Sequence, residues 1–329
     1  MKMFRCFGYG VIVLSTVFLF ASCKNKAADK DAVVMGNAQT SDSVVSAKST
    51  TSVDPQLAFP LPEIPQALQK PEDRAMFLVN HFWDKMDFNN REYLRNPEKL
   101  EVSFANFLGL ALSLPFDKVS KLLIVPLDSS NGEMLQFFLD NYKKYLYDGN
   151  SPMMNEDYYR PILMWAVESP KVKFAEQTRY KELLTLINRN RMGTVATDFI
   201  YQTTEGSLHH LNNVNTKYTM LVFYTPGCAA CNNLIGQLNS TLEIKDLVDA
   251  HKLSVLFIYT ESDVLAWKES AKIIPPYVTV GIDEDQTIVS KSLYDLKASP
   301  TIYLLDKNLK VLLKDARFDQ IINYFKSLS

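Results

Sequence analysis

The sequence predicts two folded parts in series, an all-α helical bundle followed by an α/β domain. Three observations carry that division. From about residue 66 to 190 the apolar residues recur at helical spacing. Beyond about residue 218, short apolar, aromatic and β-branched runs alternate with helical stretches. A Cys-x-x-Cys, Cys228 to Cys231, stands just after the first of those runs. The 329 residues suffice for two ordinary domains. Glycine, at 11 residues, is scarce, which fits a helix-rich chain. The net charge of −2 gives no broad electrostatic case for binding nucleic acid or an anionic membrane surface.

In the first part, Val79, Phe82, Trp83 and Met86 follow an i, i+3, i+4, i+7 pattern. Leu135, Phe138, Leu139, Tyr142 and Leu146 repeat it, with Ser130-x-x-Glu133 placed as a capping box ahead of them. Tyr180, Leu183, Leu184 and Ile187 form another stripe. The proline-bearing breaks LSLPFD, NSPMMN and ESPKVK separate these runs, giving four to six helices. In HFWDKMDF (81–88), Phe82, Trp83 and Met86 read as core and Asp84 and Lys85 as the wet face, so no binding site is assigned there.

In the second part, YTMLVFYT (218–225) has the composition of a strand buried on both faces. Pro226-Gly227 breaks it, and Asn232 to Leu242 has helical potential. Cys228 therefore falls at a helix N-terminus, where free N–H groups and the helix dipole favour a thiolate. A thiolate is the species that attacks a disulfide, and two intervening residues keep both sulfurs on one turn. LSVLFIY (253–259) is a second buried strand. Pro300, which has no N–H, fits the start of the strand Thr301–Leu305, where a cis Ser299–Pro300 bond would be a deliberate feature. Lys307-Asn308 turns the chain into Lys310–Leu313, and Phe318, Ile321, Ile322 and Phe325 mark a closing helix.

The N-terminus reads as an address. Lys2 and Arg5 precede an apolar run, Val11 to Phe20, too short to span a bilayer comfortably. Ala21-Ser22-Cys23 then resembles a bacterial lipobox, which implies a signal peptide over 1–22 and a diacylated Cys23. Residues 23–60, rich in Ser, Thr, Ala, Asp and Lys, read as a flexible tether. A transmembrane anchor with an incidental cysteine is the competing reading. Lys24, with no acidic residue beside it, resembles sorting to the periplasmic face of the outer membrane. In that oxidising compartment the mature thiols are Cys228 and Cys231.

Strand, Cys-x-x-Cys helix, strand, and Ser299-Pro300-Thr301 leading a strand and hairpin resemble the thioredoxin superfamily. DFIYQTTEGSLHHL (198–211) resembles the opening hairpin of its TlpA/ResA-type extracytoplasmic branch. Three stretches, 81–88, 144–159 and 188–199, resemble a helical domain of uncharacterised function that precedes such domains in some Gram-negative lipoproteins. The resemblance implies a helical domain over 61–193 and a thioredoxin-like domain over 194–329, with a central mixed sheet flanked by helices. It implies Cys228 as exposed nucleophile, Cys231 as buried resolving cysteine and Pro300 as the cis-proline facing the pair. It also implies Ser299 as the residue whose backbone pairs with substrate, with Pro226 and Gly227 beside it. Gly227 stands where the family usually has Trp, and Val222 where cytosolic thioredoxins carry a buried acid. Glu261, past the second strand, is the candidate proton acceptor for Cys231.

The implied activity is thiol-disulfide exchange in the reductase direction. No cofactor beyond the redox-active pair is expected, and no metal. The implied partners are envelope proteins with thiols or disulfides and a thiol electron donor. Three alternatives compete: a zinc half-site, for which His81, His209, His210 and His251 lie at no suitable spacing; a peroxidase, whose expected proline is Leu221 here; and a binding module with a static disulfide.

Overall fold

The structure, a computed structural model, describes residues 57–328. The leader, Cys23 and nearly all of the tether lie outside the described residues. Among the described residues no helix is long and apolar enough to cross a membrane.

The helical part comprises α1 (Pro71–His81), α2 (Glu92–Arg95), α3 (Pro97–Leu112), α4 (Phe116–Val119), α5 (Val125–Ser129), α6 (Gly132–Leu146), α7 (Glu156–Glu168) and α8 (Phe174–Ile187). The five helices longer than ten residues match the expected four to six, and three short ones fill connections. Proline opens α1 and α3, where its missing N–H would have no partner anyway. In α3, Leu100, Phe104, Phe107, Leu108 and Ala111 repeat every three or four residues and are fully buried. They meet Phe82, Trp83 and Phe138 in one aromatic-rich core, and the Trp83 ring lies 5.0 Å from Phe107 and 5.5 Å from Phe138. HFWDKMDF is thus packing, with His81 turned out to Asp84. Full burial of such side chains contributes about 1.5–3 kcal/mol each. Asn155 caps α7 by accepting from the N–H groups of Asp157 and Tyr158.

Ser130 is not the cap of α6. The N-cap position is Asn131, and the buried Ser130 hydroxyl instead donates to the Pro126 carbonyl at 2.6 Å. Four residues back lies the carbonyl of Pro126, the second residue of α5, and that local acceptor wins over a cap.

The sheet part runs β1 (Ile200–Thr203), β2 (Leu208–His210), β3 (Tyr218–Tyr224), α9 (Ala229–Ser240), α10 (Leu242–Asp249), β4 (Leu253–Tyr259), α11 (Val264–Ala271), β5 (Thr279–Ile282), α12 (Thr287–Ser290), β6 (Thr301–Asp306), β7 (Val311–Leu313) and α13 (Phe318–Lys326). The strand order is β2-β1-β5-β4-β3-β6-β7. β3, β4 and β5 are parallel and the other pairings antiparallel, so the sheet is mixed. β3 is an inner strand, between β4 and β6, and is buried on both faces. Met220, Val222 and Tyr224 face the core that holds Cys231, while Leu221 and Phe223 face a second core with Phe199, Tyr294 and Tyr303. The period-2 alternation of a strand makes that division. This is a thioredoxin-like fold preceded by a helical region.

Candidate active site

The turn Thr225-Pro226-Gly227 carries the chain from the end of β3 to the start of α9. Gly227 sits at φ +77, a conformation that costs a glycine little. The Cys228 N–H donates to the Thr225 carbonyl at 3.2 Å and closes the turn. Cys228 is then the N-cap of α9, and its sulfur accepts the Cys231 N–H at 3.4 Å. One helical turn later Cys231 is buried at 1% exposure, while Cys228 is half-exposed. Both are free thiols.

The other wall is the loop ahead of β6. The Ser299–Pro300 peptide is cis. The Ser299 carbonyl accepts from the Cys228 thiol at 3.2 Å, and its hydroxyl lies 3.2 Å from the Cys231 sulfur. The same hydroxyl donates to Thr225 Oγ1 at 3.1 Å. A serine hydroxyl has one hydrogen. With that hydrogen on Thr225, Cys231 is the donor to Ser299. If Cys231 ionises, the hydroxyl turns and donates to the sulfur.

The two thiols differ in acidity. Burial opposes ionisation of Cys228, but the N–H groups of Cys231 and Ala230, the Cys231 thiol and the Ser299 hydroxyl outweigh it, so its pKa falls below the ordinary thiol value. Burial pushes Cys231 up to about 11, against hydrogen bonds from Ser299 and the Thr225 backbone and with the neighbouring Cys228 adding to the rise. Val222, in the place of a buried acid, is fully buried on the same face as Cys231. An apolar floor therefore lies where an acid would have accepted a proton.

Of the residues singled out in the sequence, the structure joins Cys228, Cys231 and Ser299 directly. Pro226 and Gly227 form the turn beneath Cys228, and Pro300 follows Ser299. Glu261 is not brought to the thiols. It is exposed past the end of β4 and accepts from the Tyr259 hydroxyl at 3.3 Å, and no hydrogen bond joins it to either sulfur. A strand end next to a surface turn gives a carboxylate water to face, and Glu261 takes it. Thr225 was missed. Its only sequence signal is its position between a buried strand and Pro226, where a side chain can reach back over the turn. Among the described residues no group of three His, Cys, Asp or Glu converges in a metal-holding arrangement.

A sheet of this order, with a split-acidity cysteine pair at a helix N-terminus opposite Ser299–Pro300, defines a thioredoxin-like protein. A thioredoxin-like protein from Bacteroides caccae shares 36% identity with the chain, covering 83% of this chain and 99% of its own, with a TM-score of 0.78. The chain belongs to that thioredoxin-like family. The C-terminal domain of an uncharacterized protein from Bacteroides fragilis shares 39% identity, covering 42% of this chain and 98% of its own, TM-score 0.41. A domain of a possible thiol-disulfide isomerase from Cytophaga hutchinsonii shares 26% identity over 43% of this chain and 97% of its own, TM-score 0.37. A domain of unknown function, DUF5106, matches residues 31–190. No curated protein matches the chain.

Proposed function

We propose that the protein is an envelope thiol-disulfide oxidoreductase that reduces protein disulfides through Cys228 and Cys231. The observation that carries this reading is the difference between the two thiols, one half-exposed and acidified at a helix N-terminus, the other buried with its acidity suppressed. The Cys228 thiolate attacks one sulfur of a substrate disulfide, forming a Cys228–substrate bond and releasing the other substrate sulfur as thiolate. Cys231 then gives up its proton and attacks the Cys228 sulfur. The Cys228–Cys231 bond forms, the second substrate thiolate leaves, and solvent protonates the released thiolates. The pair loses two electrons and the substrate gains them. A thiol electron donor restores the dithiol. No cofactor other than the pair takes part.

In this reading Ser299 presents its backbone to substrate and Pro300 shapes that surface, beside Pro226 and Gly227. The partners are envelope proteins that carry thiols or disulfides. The folded parts, 61–193 and 194–329, are two domains carried on the 23–60 tether, and Cys23 takes a lipid that anchors them at the periplasmic face of the outer membrane. Metabolic labelling with palmitate should mark the wild-type chain and not Cys23→Ala. Equal labelling would remove the anchor from the account.

The catalytic claim is tested by trapping. Cys231→Ala should accumulate mixed disulfides in cells, because nothing resolves the first bond, and Cys228→Ala should accumulate none. If neither variant traps a partner, the pair is a static disulfide and the protein a binding module.

A further inference from the structure

The stretch from Lys291 to Pro300 leads into the thiol site yet contains no helix or strand. Among the described residues, no N–H between Tyr294 and Ser299 donates to a main-chain carbonyl. Main-chain groups are obligatory hydrogen-bonding groups, and here they do not hold one another. The shape of this stretch must be imposed from outside.

Tyr294, packed on Phe223 and Tyr303 with its hydroxyl on the Thr197 carbonyl, holds it from the sheet side, and residues between Tyr147 and Asn190, on the helical side, supply the rest. The Arg189 guanidinium donates to the carbonyls of Lys291 and Ser292, and the Asn190 amide donates to the Leu293 carbonyl at 2.8 Å. The Tyr147 hydroxyl donates to Asp295 at 3.0 Å. Lys297, whose side chain is 4% exposed, pairs with Glu156 of α7 at 2.8 Å and also with Asp315 and Asp295. Lys314 pairs with the other Glu156 oxygen at 2.7 Å. These five charged groups are buried together, so each depends on its partners. Burial works against the charge on Lys297, and the three carboxylates outweigh it and keep it protonated.

Gly149 completes the grip. A Cβ at that position would come within 2.8 Å of Ala298 Cβ, 3.2 Å of Lys297 Cβ and 3.3 Å of the Lys297 carbonyl carbon. The glycine is required by close approach. The turn at Gly149 is pressed against the residue that precedes Ser299.

We propose that the helical part is a positioning element for the thiol pair: by gripping residues 291–298 through Tyr147, Gly149, Glu156 and Arg189, it fixes where Ser299 meets Cys228 and Cys231. This rests on the disulfide-exchange reading of that site. Consecutive Cα atoms are only 3.80 Å apart, so a displacement at Ala298 has few dihedrals in which to be absorbed before Ser299. The bonds from Ser299 to the two thiols weaken with distance and angle. The helical part thereby has a function in the chemistry without touching a sulfur itself.

The test is Gly149→Ala in the whole chain, with the rate of Cys228 alkylation followed against pH and the Cys228–Cys231 equilibrium measured in glutathione buffers. The added methyl pushes on Ala298 and shifts Ser299. The contacts of Ser299 with both sulfurs then change, so the rate of Cys228 alkylation at neutral pH shifts about three- to tenfold, half to one pKa unit. Ala298→Gly in the same chain removes the tightest contact and should reverse part of that shift. Tyr147→Phe, which deletes only a hydroxyl, gives a smaller shift and decides the matter if Gly149→Ala does not fold. Unchanged alkylation and glutathione profiles in the folded variants, with only a lowered Tm, would overturn the proposal. If the parent chain itself shows neither an acidified Cys228 nor a closable pair, the exchange reading fails first and this inference falls with it.

Discussion

In the helical part Ser103, Ser130 and Asn141 are buried, and each hands a hydrogen to a carbonyl one helical turn back, at Lys99, Pro126 and Phe137. Around the thiols, the buried polar groups find partners 68 to 74 residues away. In the first arrangement each donated bond stays within one helical turn and survives small shifts between elements, and Ser103 in addition accepts the Ala58 N–H from 45 residues back. The second exists only while the sheet, α9 and the loop before β6 keep their places. Local satisfaction marks a region whose interior serves packing. Remote satisfaction marks the place where geometry is used, and the junction resembles the site in this respect, since Tyr147 and Asp295 are 148 residues apart.

That contrast can be broken by experiment. The largest effect is expected in the helical core. Phe138 is fully buried among Trp83, Phe88 and Phe104, so Phe138→Ala should cost about 3–5 kcal/mol of stability. Denaturant unfolding measures it, and molecules that stay folded should keep the parent's Cys228 alkylation profile. A shifted profile would mean that core packing itself reaches the thiols.

The smaller effect is at the site. Ser299→Ala removes the hydroxyl that meets Cys231 and donates to Thr225. Cys231 should ionise still higher than its value of about 11, while stability changes little. The sign follows from the lost bond: the hydroxyl favours the thiolate, and its removal favours the thiol. Cys231 alkylation, read by mass across pH, checks this, and an unmoved profile would remove Ser299 from the chemistry of the pair.

Legibility in the sequence follows the same division. β3 and β4 announce themselves because strands buried on both faces are almost wholly apolar, so LSVLFIY matches β4 and YTMLVFYT overruns β3 by one residue. The stripes around Phe138 and Leu183 were readable because helical burial has a fixed period, whereas around Phe82 the period foretold burial but not the helix, since α1 ends at His81 and Phe82, Trp83 and Met86 lie beyond it. The placement of Cys228 followed from Pro226-Gly227 breaking a strand ahead of a helix. Ser130 misled because a capping pattern and a back-bonded serine look alike until the acceptor is known. Glu261 stands exposed at the strand end where the sequence put it, and its hydrogen bond there is with Tyr259. The charged junction was invisible: Glu156, Asp295, Lys297, Lys314 and Asp315 each look like ordinary surface charges, and only the fold brings them under cover.

The central claim is that Cys228 and Cys231 form one redox pair. The most direct measurement is a redox titration of the whole chain in glutathione buffers, with alkylation read by peptide mass at each of the two cysteines. The account predicts that both titrate together as a two-electron couple between about −300 and −120 mV. A pair that stays oxidised below that range, or two cysteines that never close a bond, would contradict it.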